Sequence, residues 1–323
     1  MTSFRLTPHS VRELVATDLG YEPTAPTEPP AAAVSPWSAL GAIDEDDPVL
    51  ETTVGLLKRH GGVIFTGPPG TSKSWYAARI AIHLTNGGNP ERLRVVQFHP
   101  SYQYEDFVEG YVPTDNGFKR EDKHLLILAD HARRHPDDTH VLLIDELSRG
   151  EPGRIFGEAL TYAEKSKRGF PFLLASGQEV TLPKNLVFLA TMNPHDRGVD
   201  EVDAAFERRF AKIALDPDEA ILSTFLSAAA MAPPLAERVV EFFRYVNKRV
   251  APENPLAAVG HTYFIGVTDS DDLRAVWDHQ LRFHFEKAFR LDPDGLVEVR
   301  RRWDRVIATP EPEPSGAVDA EAG

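Results

Sequence analysis

The sequence predicts an α/β fold: a parallel central sheet flanked by helices, followed by a small C-terminal helical unit. Two patterns predict it. Up to Leu215, short apolar runs of strand length alternate with helical patterns, the arrangement of a parallel sheet covered on both faces. After Pro217 the apolar period becomes helical and no clear strand follows. A third observation locates one junction. The run Val63-Ile64-Phe65-Thr66-Gly67-Pro68-Pro69-Gly70-Thr71-Ser72-Lys73-Ser74 is an apolar strand, a glycine-bearing loop, and then Lys-Ser at the mouth of a helix.

Taken in order, the strand candidates are Val63–Thr66, Arg94–Phe98, Val141–Ile144, Leu186–Thr191 and Ala211–Leu215. Helices are predicted from Trp75 onward, over Glu121 to Arg134 and over Arg154 to Lys165. The stretch Phe170 to Leu182 reads as a projecting hairpin. In the C-terminal unit Leu235, Val239, Phe242, Phe243 and Val246 follow helical spacing, as do Leu273, Trp277, Leu281, Phe285 and Phe289. His261 to Phe264 reads as one short strand within it. These aromatic stripes are core rather than cofactor contacts. The expected division is a short N-terminal segment with a Pro-rich linker over 1–45, an α/β domain over 46–215, a helical domain over 216–306, and an acidic, disordered tail over 307–323.

Composition excludes several classes. The chain has 323 residues, enough for about two domains. It has no cysteine, so disulfides and thiolate metal sites are impossible. No apolar stretch approaches the roughly 20 residues of a membrane span, and the start lacks a signal-peptide plan. The expected location is therefore cytoplasmic, with no membrane partner. The net charge of −14 means that bulk electrostatics would not draw the molecule to DNA. Nucleic-acid contact has to come through a local patch, such as Lys165, Lys167 and Arg168, or through a partner chain. For those three residues a solvated helix end is the preferred reading.

The loop from Gly67 to Ser74 is close to G-x-x-x-x-G-K-S/T, which wraps the phosphates of ATP or GTP. Backbone N–H groups of such a loop converge on an anion at a helix N-terminus. Gly67, Pro68, Pro69, Gly70, Thr71 and Ser72 form the cradle, Lys73 reaches the β/γ-phosphates and Ser74 ligates Mg²⁺. Ser72 stands where the pattern has glycine, at modest cost if its φ is helical.

Three further elements complete a hydrolytic reading. Val141-Leu142-Leu143-Ile144-Asp145-Glu146 ends a buried-type strand in two carboxylates. Adjacent acids are costly to bury unless a cation or hydrogen bonds compensate. Asp145 is placed for the Mg²⁺ shell and Glu146 for polarising the attacking water. Asn193, after the strand Leu186–Thr191, is an amide able to orient that water. Arg208 and Arg209 precede the last strand. An arginine supplied by a neighbouring subunit stabilises the charge of phosphoryl transfer, an effect of about 10³–10⁵ in rate. On that reading the site lies between subunits and the active form is an oligomer.

These elements, in this order, resemble the AAA+ superfamily of ring-forming NTPases over residues 55–306. The narrower resemblance is to the McrB family, the motor subunits of modification-dependent restriction systems. It is carried by Phe98-His99-Pro100-Ser101-Tyr102-Gln103-Tyr104-Glu105-Asp106-Phe107-Val108-Glu109-Gly110, close to F-H-x-S-Y-x-Y-E-D-F-x-E-G. Asp145-Glu146-Leu147-Ser148-Arg149-Gly150 with Ile155-Phe156-Gly157-Glu158, the run Met192-Asn193-Pro194-His195-Asp196-Arg197-Gly198, and Gly260-His261-Thr262-Tyr263-Phe264 are similar to further family segments. Pro194, His195, Gly198 and Ser148 depart from the family pattern, and the change at Ser72 looks like the MoxR family.

The resemblance implies a P-loop NTPase with a helical lid, a hexameric ring, Mg²⁺ with ATP or GTP, and a separate McrC-like nuclease subunit through which DNA is met. It makes Asp196 and Arg197 candidates for communication between subunits. Superfamily usage favours ATP. The implied purpose is DNA translocation for the nuclease in antiphage defence. The rivals are a MoxR-like remodelling ATPase acting on protein partners and a slow, nucleotide-gated assembly scaffold. No segment reads as a DNA-recognition domain. His99 and His261 lack metal-ligand spacing to another histidine, and structural hydrogen bonding is the expected role of both.

Overall fold

The computed structural model describes residues 41–115, 117–194 and 204–308. Five strands form the central sheet: β1 (Gly62–Thr66), β2 (Leu93–Gln97), β5 (His140–Asp145), β8 (Leu186–Met192) and β9 (Ala211–Ala214). Their spatial order is β2-β5-β8-β1-β9, and every pairing is parallel. All seven residues of β8 are buried, whereas the edge strands β2 and β9 alternate with exposed positions. A sheet covered on both faces requires such apolar central strands.

Alternate residues supply two separate cores, as the period of two along a strand dictates. Ile64, Leu142, Ile144, Phe188 and Ala190 face one layer, which also contains Leu125, Leu128 and Phe156. Val63, Phe65, Val141, Leu143, Val187 and Leu189 face the other, with Ile80, Ala81 and Leu50. Helices α1 (Pro48–Leu57) and α2 (Lys73–Leu84) supply the second layer, and α3 (His124–Arg134) supplies part of the first. Helix α1 starts cleanly because Asp47 accepts the Val49 N–H at 2.8 Å and Pro48 occupies the first turn.

Two antiparallel hairpins project from this layer. The pair β6 (Pro171–Leu173) and β7 (Glu179–Thr181) is the hairpin expected over Phe170 to Leu182. The pair β3 (Glu109–Thr114) and β4 (Gly117–Asp122) was not expected. It corrects the helix predicted from Glu121, because Glu121 and Asp122 pair with Gly110 and Glu109 and the helix begins only at His124. Glu109 is 3% exposed and ties the two hairpins together. Its carboxylate accepts from Arg120 at 2.9 Å and from the Ser176 hydroxyl at 2.7 Å. Burial pushes that carboxyl up, but the hydrogen bonds from Ser176 and Arg120 outweigh it and hold it below its ordinary value.

The helix predicted over Arg154 to Lys165 is also corrected. It breaks into Pro152–Phe156 and Ala159–Ala163 at Gly157, where φ is +51° and a Cβ would lie 2.8 Å from the Tyr104 ring.

The C-terminal part is helical: α4 (Glu219–Ala228), α5 (Pro233–Tyr245), the run α6 (Ser270–Val276, Trp277–Leu281 and Arg282–Ala288) and α7 (Pro293–Ile307). Phe242, Phe243, Phe264, Trp277, Phe285 and Trp303 fill its core, so the aromatic stripes pack as expected. His261–Phe264 is a 3₁₀ turn, not a strand.

Candidate active site

The parallel register brings the C-terminal ends of three neighbouring strands to one edge. Thr66 lies beside Met192 in one pair and Ile144 beside Ala190 in the next, so the loops after β1, β5 and β8 meet. Such an edge is where open α/β sheets bind ligands.

The phosphate-loop segment turns tightly between β1 and α2. Gly67 has φ +155°, and a Cβ there would meet the Leu215 carbonyl oxygen at 2.2 Å. Gly70 has φ +79°. Ser72 has φ +64° and ψ 18°, in the left-handed region rather than the helical one. The expectation of a small cost is therefore corrected: a non-glycine residue there carries about 1–2 kcal/mol of steric strain. The side chain of Thr71 is buried and braces the loop, its hydroxyl donating to the Pro68 carbonyl at 3.0 Å. Lys73 Nζ donates to the same carbonyl at 2.6 Å. Burial pushes the Lys73 ammonium below its ordinary value, against the opposing pull of Glu146 and Asp145.

The acid pair stands opposite. Asp145 Oδ1 accepts from the Ser74 hydroxyl at 2.9 Å and from the Thr191 hydroxyl at 2.5 Å. The Glu146 N–H donates to Thr191 Oγ1 at 3.1 Å. Glu146 has φ +54° and ψ +45°, a left-handed geometry that re-aims its side chain out of the strand direction. Arg149 Nε donates to Glu146 Oε2 at 3.3 Å.

Between these groups lies a cavity of about 510 Å³. Pro68 to Ser74, Glu146 and Asn193 line it, so the cradle, the water-polarising acid and the amide expected from sequence surround one space. Thr191, Arg149, His284 and Lys287 also line it or brace it, and none was singled out for a role in the sequence. Thr191 was legible only as the last residue of a predicted strand. His284 and Lys287 arrive from α6, remote in sequence.

The lid touches the loop through main chain. Gly260 N–H donates to the Pro69 carbonyl at 3.1 Å and Thr262 N–H to the Gly70 carbonyl at 3.0 Å. A Cβ on Gly260 would sit 2.0 Å from Gly70 main-chain atoms, so only glycine permits this approach. His261 is 1% exposed, and its Nε2 lies 2.9 Å from Ser72 Oγ. Its Nδ1 accepts the Asp218 N–H at 3.3 Å. Structural hydrogen bonding is thus its role, as expected.

Comparison with known proteins gives the family. Residues 62–210 match the AAA domain (dynein-related subfamily). The chain is 30% identical over 256 residues to the type IV methyl-directed restriction enzyme EcoKMcrB subunit of Escherichia coli K12, across 75% of this chain and 56% of that protein. The chain is an McrB-like AAA+ protein. It is also 26% identical over 189 residues to the type II restriction enzyme BsuMI component YdiS of Bacillus subtilis 168, across 46% of this chain and 55% of that one. It spans about half the length of the curated relatives it matches.

In this McrB-like chain the two arginines differ sharply. Arg208 is exposed, whereas Arg209 is 7% exposed and packed into the fold. Both guanidinium charges act on Glu164, which is held below its ordinary value first by its hydrogen bond from Ser166. Asp196 and Arg197 lie outside the described residues.

The basic patch is corrected at one position. Arg168 is 2% exposed and cannot present its charge to DNA. It donates to four main-chain carbonyls, those of Ala163, Pro183, Leu186 and Gly61. Burial pushes its guanidinium down to about 9. Among the described residues, no helix is long and apolar enough to cross a membrane.

Proposed function

We propose that this McrB-like AAA+ chain hydrolyses ATP, with GTP as the competing substrate, at a site shared by two subunits of a hexameric ring. We further propose that hydrolysis drives DNA translocation for an McrC-like nuclease partner in antiphage restriction. The observation that carries the reading is the triangle of Ser74, Asp145 and Thr191 beside Glu146, facing the Lys73 loop across one cavity.

The residues fit a magnesium triphosphate on geometry. Ser74 Oγ and Asp145 Oδ1 lie 2.9 Å apart, two hard oxygens at the mouth of a twelve-residue helix. Gly67 and Gly70 take positive φ, and a side chain at either would press on Leu215 or on Thr262 and Tyr263 and displace the loop. Bound there, the metal would neutralise charge on the β- and γ-phosphate oxygens.

The chain's own groups have separable tasks. Lys73 releases the Pro68 carbonyl to meet a phosphate oxygen. The main-chain N–H groups of the loop and the first turn of α2 converge on the phosphates. Thr191 holds Asp145 in place while accepting the Glu146 N–H, which fixes the second acid relative to the first. Glu146 takes up the proton of the attacking water as general base. Asn193 positions that water from the end of β8. Arg149 neutralises Glu146 in the absence of substrate and has to yield when water is bound. Arg208, exposed at the surface, is the guanidinium offered to the neighbouring subunit's γ-phosphate. Asp196 and Arg197 carry the signal across the same boundary.

The restriction role draws on likeness to the two curated relatives, both components of restriction enzymes. The test is hydrolysis of ATP and GTP by the purified chain with and without DNA, alongside Glu146→Gln. Wild type should turn over and respond to DNA. The variant should bind nucleotide normally and hydrolyse about 10²–10⁴-fold more slowly. Equal rates for the two proteins would remove Glu146 from the mechanism. Stimulation by a protein client but not by DNA would overturn the translocation reading.

A further inference from the structure

Three histidines meet at the end of the sheet away from the phosphate loop. His131 and His135 lie one turn apart at the end of α3, and His140 opens β5. Asp145 closes the same strand, so the cluster stands about 16 Å from the acid pair at the rise of a β-strand. Among the described residues, this is where three potential ligand side chains converge, one ring nitrogen from each lying within 4.8 Å of the others.

The hydrogen bonds decide which nitrogens carry protons. His140 Nδ1 lies 3.0 Å from the Asp138 carbonyl oxygen, and His135 Nδ1 lies 3.0 Å from the His131 carbonyl oxygen. A carbonyl only accepts, so both Nδ1 atoms are protonated and both Nε2 atoms present lone pairs. That is the way the second shell prepares an imidazole for metal. His131 Nδ1 sits 2.7 Å from His140 Nε2 and has to donate to it. Its remaining nitrogen, Nε2, then turns a lone pair toward the Glu91 carboxylate 3.5 Å away. Two electron-rich groups face each other there. A cation replacing the Nδ1 proton resolves the conflict, because the proton moves to Nε2 and donates to Glu91. The result is a carboxylate–histidine–metal relay.

The surroundings are built to hold this shape. Asn185 Nδ2 donates to the carbonyls of Ala132, His135 and Asp138 at 2.9, 2.9 and 2.8 Å, clamping the turn between the histidines. Arg92 is paired with Asp138 and Arg134 with Asp130, so the two nearby positive charges are compensated.

We propose that His131, His135 and His140 form a structural site for a zinc-class divalent transition-metal ion. Three imidazole nitrogens and no thiolate suit zinc, with water as fourth ligand. The ion would pin the end of α3 to the start of β5. The His131–His140 spacing has to widen from hydrogen-bond length to admit it.

The test uses the full chain without an affinity tag, stripped with chelator, reloaded with zinc and dialysed. Metal content is measured by atomic emission, and cobalt(II) is loaded in parallel for its ligand-field absorption. Three variants are compared. His135→Ala removes an exposed ligand without opening the core, Glu91→Gln removes the relay carboxylate, and Ser74→Ala removes the magnesium ligand at the other end. Wild type and Ser74→Ala should retain one zinc per chain and give a tetrahedral cobalt spectrum. His135→Ala should lose both, and Glu91→Gln should bind at least about tenfold more weakly. Zinc should raise the melting temperature of wild type but not of His135→Ala, as binding to the folded state alone requires. Equal zinc in wild type and His135→Ala, or none retained in wild type, would overturn the proposal.

Discussion

The His261 ring donates from Nε2 to the Ser72 hydroxyl across 2.9 Å, fastening the lid to a loop residue in left-handed geometry. The proton is on Nε2 because Nδ1 accepts the Asp218 N–H. One buried imidazole therefore links the phosphate loop, the start of α4 and the lid.

Two substitutions at Ser72 separate strain from bonding. Ser72→Ala keeps the left-handed penalty and leaves the buried Nε2–H without its partner, a loss of about 1–3 kcal/mol. Ser72→Gly loses the same bond but relieves about 1 kcal/mol of steric cost. Thermal unfolding should rank wild type and Ser72→Gly above Ser72→Ala. An alanine variant as stable as the glycine one would mean that the backbone at this position is unstrained.

His261 also makes the lid contact acid-sensitive. Burial lowers its affinity for a proton, and the nearby Asp218 charge only partly offsets this. A depressed imidazole stabilises the fold above the ordinary value of 6.5, and that stability is lost as pH falls through the lower folded value. The melting temperature of wild type should drop on acidification below 6.5, and His261→Gln should show a shallower drop. Some slope will remain, since burial depresses His124 and His284 as well. An unchanged slope in His261→Gln would remove this residue from the acid response.

The two arginines should behave oppositely. Arg208→Ala alters an exposed side chain and should stay within about 0.5 kcal/mol of wild-type stability while slowing hydrolysis by about 10³-fold or more. Mixing it with Lys73→Ala should restore turnover, because the first supplies an intact cradle and the second an intact arginine. Arg209→Ala empties a buried position and should destabilise by about 1–3 kcal/mol. Mixed rings that stay inactive would place the Arg208 effect within one subunit.

Arg168 should prove structural. Arg168→Met strips donors from four main-chain carbonyls, three of them in buried bonds, and should cost about 3 kcal/mol or more. Lys165→Ala and Lys167→Ala should each stay within about 0.5 kcal/mol. Comparable melting temperatures for all three variants would contradict the bonding described for Arg168.

The central sheet was legible because β1, β5 and β8 each hold an unbroken apolar run, Val63–Phe65, Val141–Ile144 and Leu186–Ala190, a pattern that parallel strands require. The hairpin Glu109 to Asp122 was not, since its strands are mostly polar and exposed and gain their pairing from Glu109 anchored beneath. Gly157 ended a helix for a tertiary reason, the Tyr104 ring beside it. Within the site, the loop and acids are contiguous motifs and could be read directly. Thr191 and Lys287 gain meaning only when β8 and α6 are brought to the cavity. His131, His135 and His140 lie outside the family-like segments, and only the fold brings the end of α3 beside the start of β5.

The contact of Gly70 with Gly260 has a mechanical consequence. Peptide groups, not side chains, join these two segments at their narrowest point. Any displacement of the loop, however small, is handed to the lid as rigid leverage. Most lid positions can then drift in chemistry without cutting the transmission, while a single methyl group at either fulcrum residue would jam it.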